Sequence, residues 1–112
     1  MSSKKIVIFA SGSGSSAENI ILTFKNKSDI VVTKLYCNNP DAFVLQRIKK
    51  YNIEALVFNS EELNNGFVMR DLNKISPDLI VLAGFLKKIP ENIIHSFENK
   101  IINIHPSLLP KY

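Results

Sequence analysis

Residues Ile6 to Ala10 form an unbroken apolar run that gives way at once to Ser11-Gly12-Ser13-Gly14-Ser15-Ser16. No other feature limits the possible folds so tightly. A β-branched run without polar alternation suits a strand covered on both faces. After the glycines the period changes. Ala17, Ile20, Ile21 and Phe24 fall at i, i+3, i+4 and i+7, which gives a helix one apolar face. The opening unit is therefore strand, tight glycine loop, helix. Ser13 or Ser15 is expected to cap that helix, and Glu18 in its first turn suits the helix dipole.

The same exchange of periods continues along the chain. Ile30 to Tyr36 predicts a second strand, rich in β-branched and aromatic residues. Asn38 to Asp41 predicts a loop, with Asp41 as N-cap of a helix carrying Val44, Leu45 and Ile48. Ala55 to Phe58 predicts a short third strand. Residues 59 to 66 end in the turn signal Asn64-Asn65-Gly66, and Val68, Leu72 and Ile75 predict a third helix. Leu79 to Ala83 predicts a fourth strand, followed by a loop from Gly84 to Lys88. Pro90 and Glu91 open a brief helix over Ile93, Ile94 and Phe97. Ile101 to Ile104 predicts a fifth strand, and His105 to Tyr112 a loop bounded by prolines.

Units of strand and helix about 25 residues long predict an α/β fold. The expected form is Rossmann-like, a mostly parallel sheet with helices on both faces. The 112 residues suit one domain. In such sheets ligands bind beyond the carboxyl ends of the strands. Chemistry is therefore expected in the loops after Ala10, Tyr36, Ala83 and Ile104.

Several classes are excluded. Hydrophobic residues at 46% and charged residues at 21% exclude intrinsic disorder. Cys37 is the one cysteine, which excludes a disulfide scaffold; it is expected as a small buried strand residue. No apolar run is long enough to cross a bilayer. The apolar stretch near the N-terminus is too short for a secretory signal, so the expected compartment is cytoplasmic, without membrane contact. The net charge of +4 comes from scattered short pairs such as Lys49-Lys50 and Lys87-Lys88. A nucleic-acid surface usually shows a denser stripe, so no nucleic-acid partner is expected. No spacing of His, Cys and carboxylates suggests a metal site.

Three segments are candidates for chemistry. Gly12, Gly14 and Ala17 fit the G-x-G-x-x-A pattern between strand and helix, where helix N–H groups can meet a phosphate. The plain alternative is a tight turn. A nicotinamide dinucleotide needs an acid at the end of the second strand, and that position reads Cys37-Asn38-Asn39. A single phosphate is favoured over an NAD-binding half-domain. Asn103 and His105, two apart on a strand, point to one face; the alternative is a buried hydrogen bond and a strand-end cap. Gly84, Phe85 and Leu86 suggest either a close backbone approach to a ligand or a loop that plugs the core. His95 is expected on a helix surface.

Taken together, these segments resemble the glycinamide ribonucleotide formyltransferases, folate-dependent enzymes of purine synthesis. The resemblance rests on Ile6 to Ser16, on Val81-Leu82-Ala83-Gly84-Phe85 and on Asn103-Ile104-His105-Pro106-Ser107-Leu108-Leu109-Pro110-Lys111-Tyr112, with Asp41-Ala42-Phe43 in support. It runs through the whole chain. Relatives acting on methionyl-tRNA open with a different loop, and formyltetrahydrofolate hydrolases usually carry an extra N-terminal domain.

The resemblance implies formyl transfer from 10-formyltetrahydrofolate to the amine of glycinamide ribonucleotide, without a metal. Gly14, Ser15 and Ser16 are implied to hold the ribonucleotide phosphate. Leu86, Lys87, Lys88 and Ile89 are implied to line the folate pocket, and Asn103 and His105 to face the formyl group as catalytic residues. Two departures stand out. Ser16 replaces the Asn that relatives usually carry, and the family's Asp, downstream of the His-Pro motif, has no counterpart up to Tyr112. The expectation is an N-terminal, nucleotide-binding portion of a longer enzyme, truncated after that motif, whose activity depends on that Asp. The competing expectation is a catalytically inactive phosphate- or nucleotide-binding fragment. Ile101, Ile102 and Ile104 would form a bare sheet edge, from which self-association is expected.

Overall fold

The computed structural model describes residues 3–104. His105 and the rest of the His-Pro segment lie outside the described residues. The strands are β1 (Lys4–Ala10), β2 (Ile30–Cys37), β3 (Glu54–Val57), β4 (Leu79–Ala83) and β5 (Ile101–Ile104). They form one sheet in the order β3-β2-β1-β4-β5, and every pair is parallel. The helices are α1 (Ser15–Phe24), α2 (Val44–Arg47), α3 (Ser60–Asn64), α4 (Phe67–Ile75) and α5 (Glu91–Ser96), with a single 3₁₀ turn over Lys49–Tyr51.

The central strand explains the two layers. Ile6, Ile8 and Ala10 enter one core cluster with Ala17 and Ile21 of α1 and Val44 of α2. Val7 and Phe9 enter a second cluster with Leu63 of α3, Val68 and Leu72 of α4 and Ile93 of α5. Every residue from Ile6 to Ala10 is buried. An apolar run without alternation thus places helices on both faces of β1.

In β2 the register slips by one residue opposite Ile6 and Val7, at Thr33. A bulge inverts the side-chain parity beyond it. Ile30 and Val32 pack on the α1 side before the slip, and Leu35 and Cys37 continue there after it. Lys34 and Tyr36 consequently face α4. The Lys34 ammonium lies 2.8 Å from Asp71 and 3.6 Å from Glu54. The Tyr36 hydroxyl donates to the same Asp71 oxygen at 2.6 Å. Burial alone would raise the Asp71 carboxyl; the hydrogen bonds from Lys34 and Tyr36 outweigh it and hold the group below its usual range. Burial, with Asp71 alongside, pushes the Tyr36 hydroxyl well above its ordinary value.

Some expected details change. Neither Ser13 nor Ser15 caps α1. Gly14 does, at φ +83 and without a side-chain hydrogen bond. Asp41 does not cap α2, which begins after Phe43. Residues 59–66 hold a helix as well as a turn: Asn59 accepts from the Glu62 amide, and Glu62 accepts from the Asn59 amide. That reciprocal capping box is visible in sequence as Asn59-x-x-Glu62. Cys37 is fully buried, as expected; burial pushes its thiol up, and the thiol donates to the Asn39 carbonyl oxygen at 3.2 Å. Among the described residues no helix is long and apolar enough to cross a membrane.

Candidate functional site

The strand order fixes where a ligand crevice can open. The chain winds outward from β1 to β2 and β3, then returns to β4 on the other side of β1. Such a reversal parts the loops beyond β1 and β4, and the crevice lies between them. The loop after β1 is Ser11 to Gly14, and the loop after β4 is Gly84 to Pro90. They meet at their roots, where the Ser11 amide donates to the Gly84 carbonyl oxygen at 3.3 Å.

Helix α2 holds the first loop in place. The Val44 amide donates to the Gly12 carbonyl oxygen at 3.1 Å, and Arg47 Nε donates to the Ser13 carbonyl oxygen at 2.9 Å. A Cβ on Gly14 would lie 2.4 Å from Val44 Cγ2. Only glycine fits this left-handed turn beneath α2. Arg47 also donates to Glu18 Oε1 at 2.9 Å, Lys50 approaches the other carboxylate oxygen at 3.3 Å, and the Tyr51 hydroxyl donates to it. Hydrogen bonds from Tyr51 and then Arg47 hold the Glu18 carboxyl down to about 2.

This clamp leaves the start of α1 open. The amides of Ser15, Ser16 and Ala17 have no acceptor within the helix, and no side chain caps them. Ser15 is exposed and Ser16 half-buried, while Gly14 is buried against Val44. Gly12 is exposed, with open space around its Cβ position. The structure therefore divides the two glycines: Gly14 serves packing, and Gly12 faces free volume.

The second loop differs. Gly84 turns at φ +71 with no atom near its Cβ position. Phe85 packs edge-on against Phe9, with ring centroids 5.3 Å apart. Leu86 is 83% exposed, Lys87 and Lys88 are exposed, and Ile89 is buried in the core. Lys87, Lys88 and Ile89 border a groove of about 390 Å³ with Ser60, Leu63 and Asn64 of α3; Leu86 stands outside it. A larger groove of about 780 Å³ lies between α1 and the start of β2, at the opposite end of the sheet from the crevice.

Asn103 on β5, one strand beyond the crevice, pairs in register with Leu82 of β4 and is exposed. Strand alternation puts it on the face of Ile101, which packs on the α3–α5 side. Its expected companion His105 lies outside the described residues. Ile102 on the edge strand is 46% exposed, while Ile101 and Ile104 are half-buried against the two cores.

Sequence reasoning missed Ser11 and Asn38. The Ser11 hydroxyl donates to Asn38 Oδ1 at 2.5 Å and accepts from the Leu86 amide at 2.9 Å. A polar residue in the first position after the buried apolar run Ile6 to Ala10 was the available signal.

The sequence profile of the formyl transferase family matches residues 4–112. This chain belongs to the formyl transferase family. It is 34% identical to a phosphoribosylglycinamide formyltransferase of Bacillus subtilis over 115 residues, which cover 97% of the chain and 59% of that relative. It is 35% identical to the Escherichia coli enzyme of the same name over 113 residues, or 96% of the chain and 53% of the relative. The crystal structure of glycinamide ribonucleotide transformylase 1 from Geobacillus kaustophilus superposes with a TM-score of 0.84 at 34% identity, covering 96% of this chain and 61% of that one. The Brucella melitensis phosphoribosylglycinamide formyltransferase gives a TM-score of 0.86 at 28% identity, covering 98% and 60%. This family member thus spans little more than half the length of those relatives.

Proposed function

We propose that the chain is the ribonucleotide-binding portion of a phosphoribosylglycinamide formyltransferase, acting in purine synthesis. Its substrates would be glycinamide ribonucleotide and 10-formyltetrahydrofolate. The observation that carries this reading is the open start of α1 at the switch-point crevice, joined at its root to the loop after β4.

Each part has a chemical task. The free amides at Ser15 and Ser16, with their hydroxyls and the positive end of the α1 dipole, suit a phosphate dianion. Gly14 shapes that turn, and Gly12 leaves room beside it. The Lys87–Ile89 groove combines cationic and apolar walls, which suits a folate with its flat ring and anionic tail. During transfer the amine nitrogen bonds to the formyl carbon, the bond from that carbon to the folate nitrogen breaks, and the amine's proton must leave. Negative charge grows on the formyl oxygen. The Asn103 amide would donate to it, and His105 would supply a second donor and a carrier for the proton.

Fluorescence titration with a folate analogue, with glycinamide ribonucleotide and with NAD tests the reading. The ribonucleotide and the folate are expected to bind, with NAD much weaker. Preferential NAD binding that Gly12→Val abolishes would replace this function with a dinucleotide-binding one.

A further inference from the structure

Ser11 is 6% exposed, yet it belongs to no apolar cluster; its amide and its hydroxyl are both engaged with other loops. Its amide donates to the Gly84 carbonyl oxygen, its hydroxyl donates to Asn38, and the same oxygen accepts from the Leu86 amide. The hydroxyl therefore ties together the chain ends of β1, β2 and β4. Little else holds the third of these at that point. Gly84 bends with open space at its Cβ position, and the Leu86 side chain stands in solvent. Phe85 and Ile89 anchor the loop to the core on either side, and the Leu86 amide is the fixed point between them.

We propose that Ser11 is a positioning residue whose hydroxyl sets the loop from Leu86 to Lys88 against the glycine-serine loop, and so fixes the folate-side wall at its working distance from the ribonucleotide. This rests on the proposed assignment of the two loops to the two substrates. Ser11 itself need touch neither. Removing the hydroxyl frees the Leu86 amide, while the α2 clamp, which does not involve Ser11, keeps the glycine-serine loop in place. The two substrates should then respond unequally.

The test uses the whole chain as wild type, Ser11→Ala and Ser11→Thr, with amide exchange read at Leu86 and at Ser15 and Ser16. Titrations use glycinamide ribonucleotide and 10-formyltetrahydrofolate. In Ser11→Ala, Leu86 exchange is expected to rise at least tenfold. Folate affinity should fall at least tenfold, ribonucleotide affinity should stay within about twofold, and Ser11→Thr should restore folate binding. Unchanged folate affinity despite a freed Leu86 amide would overturn the proposal. So would equal loss of both ligands alongside a lowered melting temperature, which would make Ser11 a general structural residue. Failure of either ligand to bind the wild type would instead remove the functional assignment, and the proposal with it.

Discussion

The two loops that border the crevice are built in opposite ways. The loop after β1 is clamped from outside by α2, through Val44, Arg47 and the Glu18 cluster, and its Gly14 has no room for a side chain. The loop after β4 touches the core through Phe85 and Ile89 and presents Leu86, Lys87 and Lys88 to solvent. A small charged group with fixed geometry calls for preorganised donors, because any freedom in them must be lost on binding. A larger, partly apolar ligand is served by exposed side chains that it can cover. The difference in construction suits the proposed assignment of a phosphate to the first loop and a folate to the second.

The sharpest way to break this comparison is to put the same side chain on each loop's glycine. Gly14→Ala should cost about 3 kcal/mol or more, since left-handed strain adds to overpacking against Val44. Gly84→Ala carries only the strain, and should cost about 1–2 kcal/mol. Urea denaturation midpoints measure both. Equal costs would mean that the first loop is no more tightly held than the second.

The Glu18 cluster should give the clamp a pH signature. Its folded value of about 2 lies below the ordinary 4.5. Its contribution is therefore complete above about pH 4.5 and is lost as pH falls toward about 2. Glu18→Gln should remove that share of the acid sensitivity, seen as a flatter stability curve across the same window. An unchanged curve would mean that Glu18 is not tied to Arg47 and Tyr51 in solution. The smallest effect is expected at Leu86→Ala, within about 0.5 kcal/mol of wild type, because the side chain is exposed and only its backbone is held.

The division of labour between these loops was only partly legible in the sequence. Period and burial are local properties, so Ile6 to Ala10 and Leu79 to Ala83 announced buried parallel strands, and the strand–helix order announced the sheet. What Gly14 does depends on Val44, 30 residues later by numbering, and no local pattern contains that contact. The serines around Gly14 looked like caps because serine caps well. The left-handed turn instead leaves the helix start without a side-chain cap. Ser11 was passed over for the same reason, because its partners Asn38 and Leu86 are brought to it by the sheet. The Asn59-x-x-Glu62 box is local and readable, although the turn signal Asn64-Asn65-Gly66 follows it closely.

The open start of α1 is proposed to bind the ribonucleotide phosphate, and Ser16→Asp probes that contact. An aspartate in the first turn favours the helix dipole, so the fold should be as stable as wild type or slightly more so. The same negative charge repels a phosphate dianion. Calorimetric titration with glycinamide ribonucleotide should show binding to wild type and a loss of at least tenfold (about 1.4 kcal/mol) in Ser16→Asp, with no fall in melting temperature. Equal affinity in the two proteins would place the phosphate elsewhere and contradict the account.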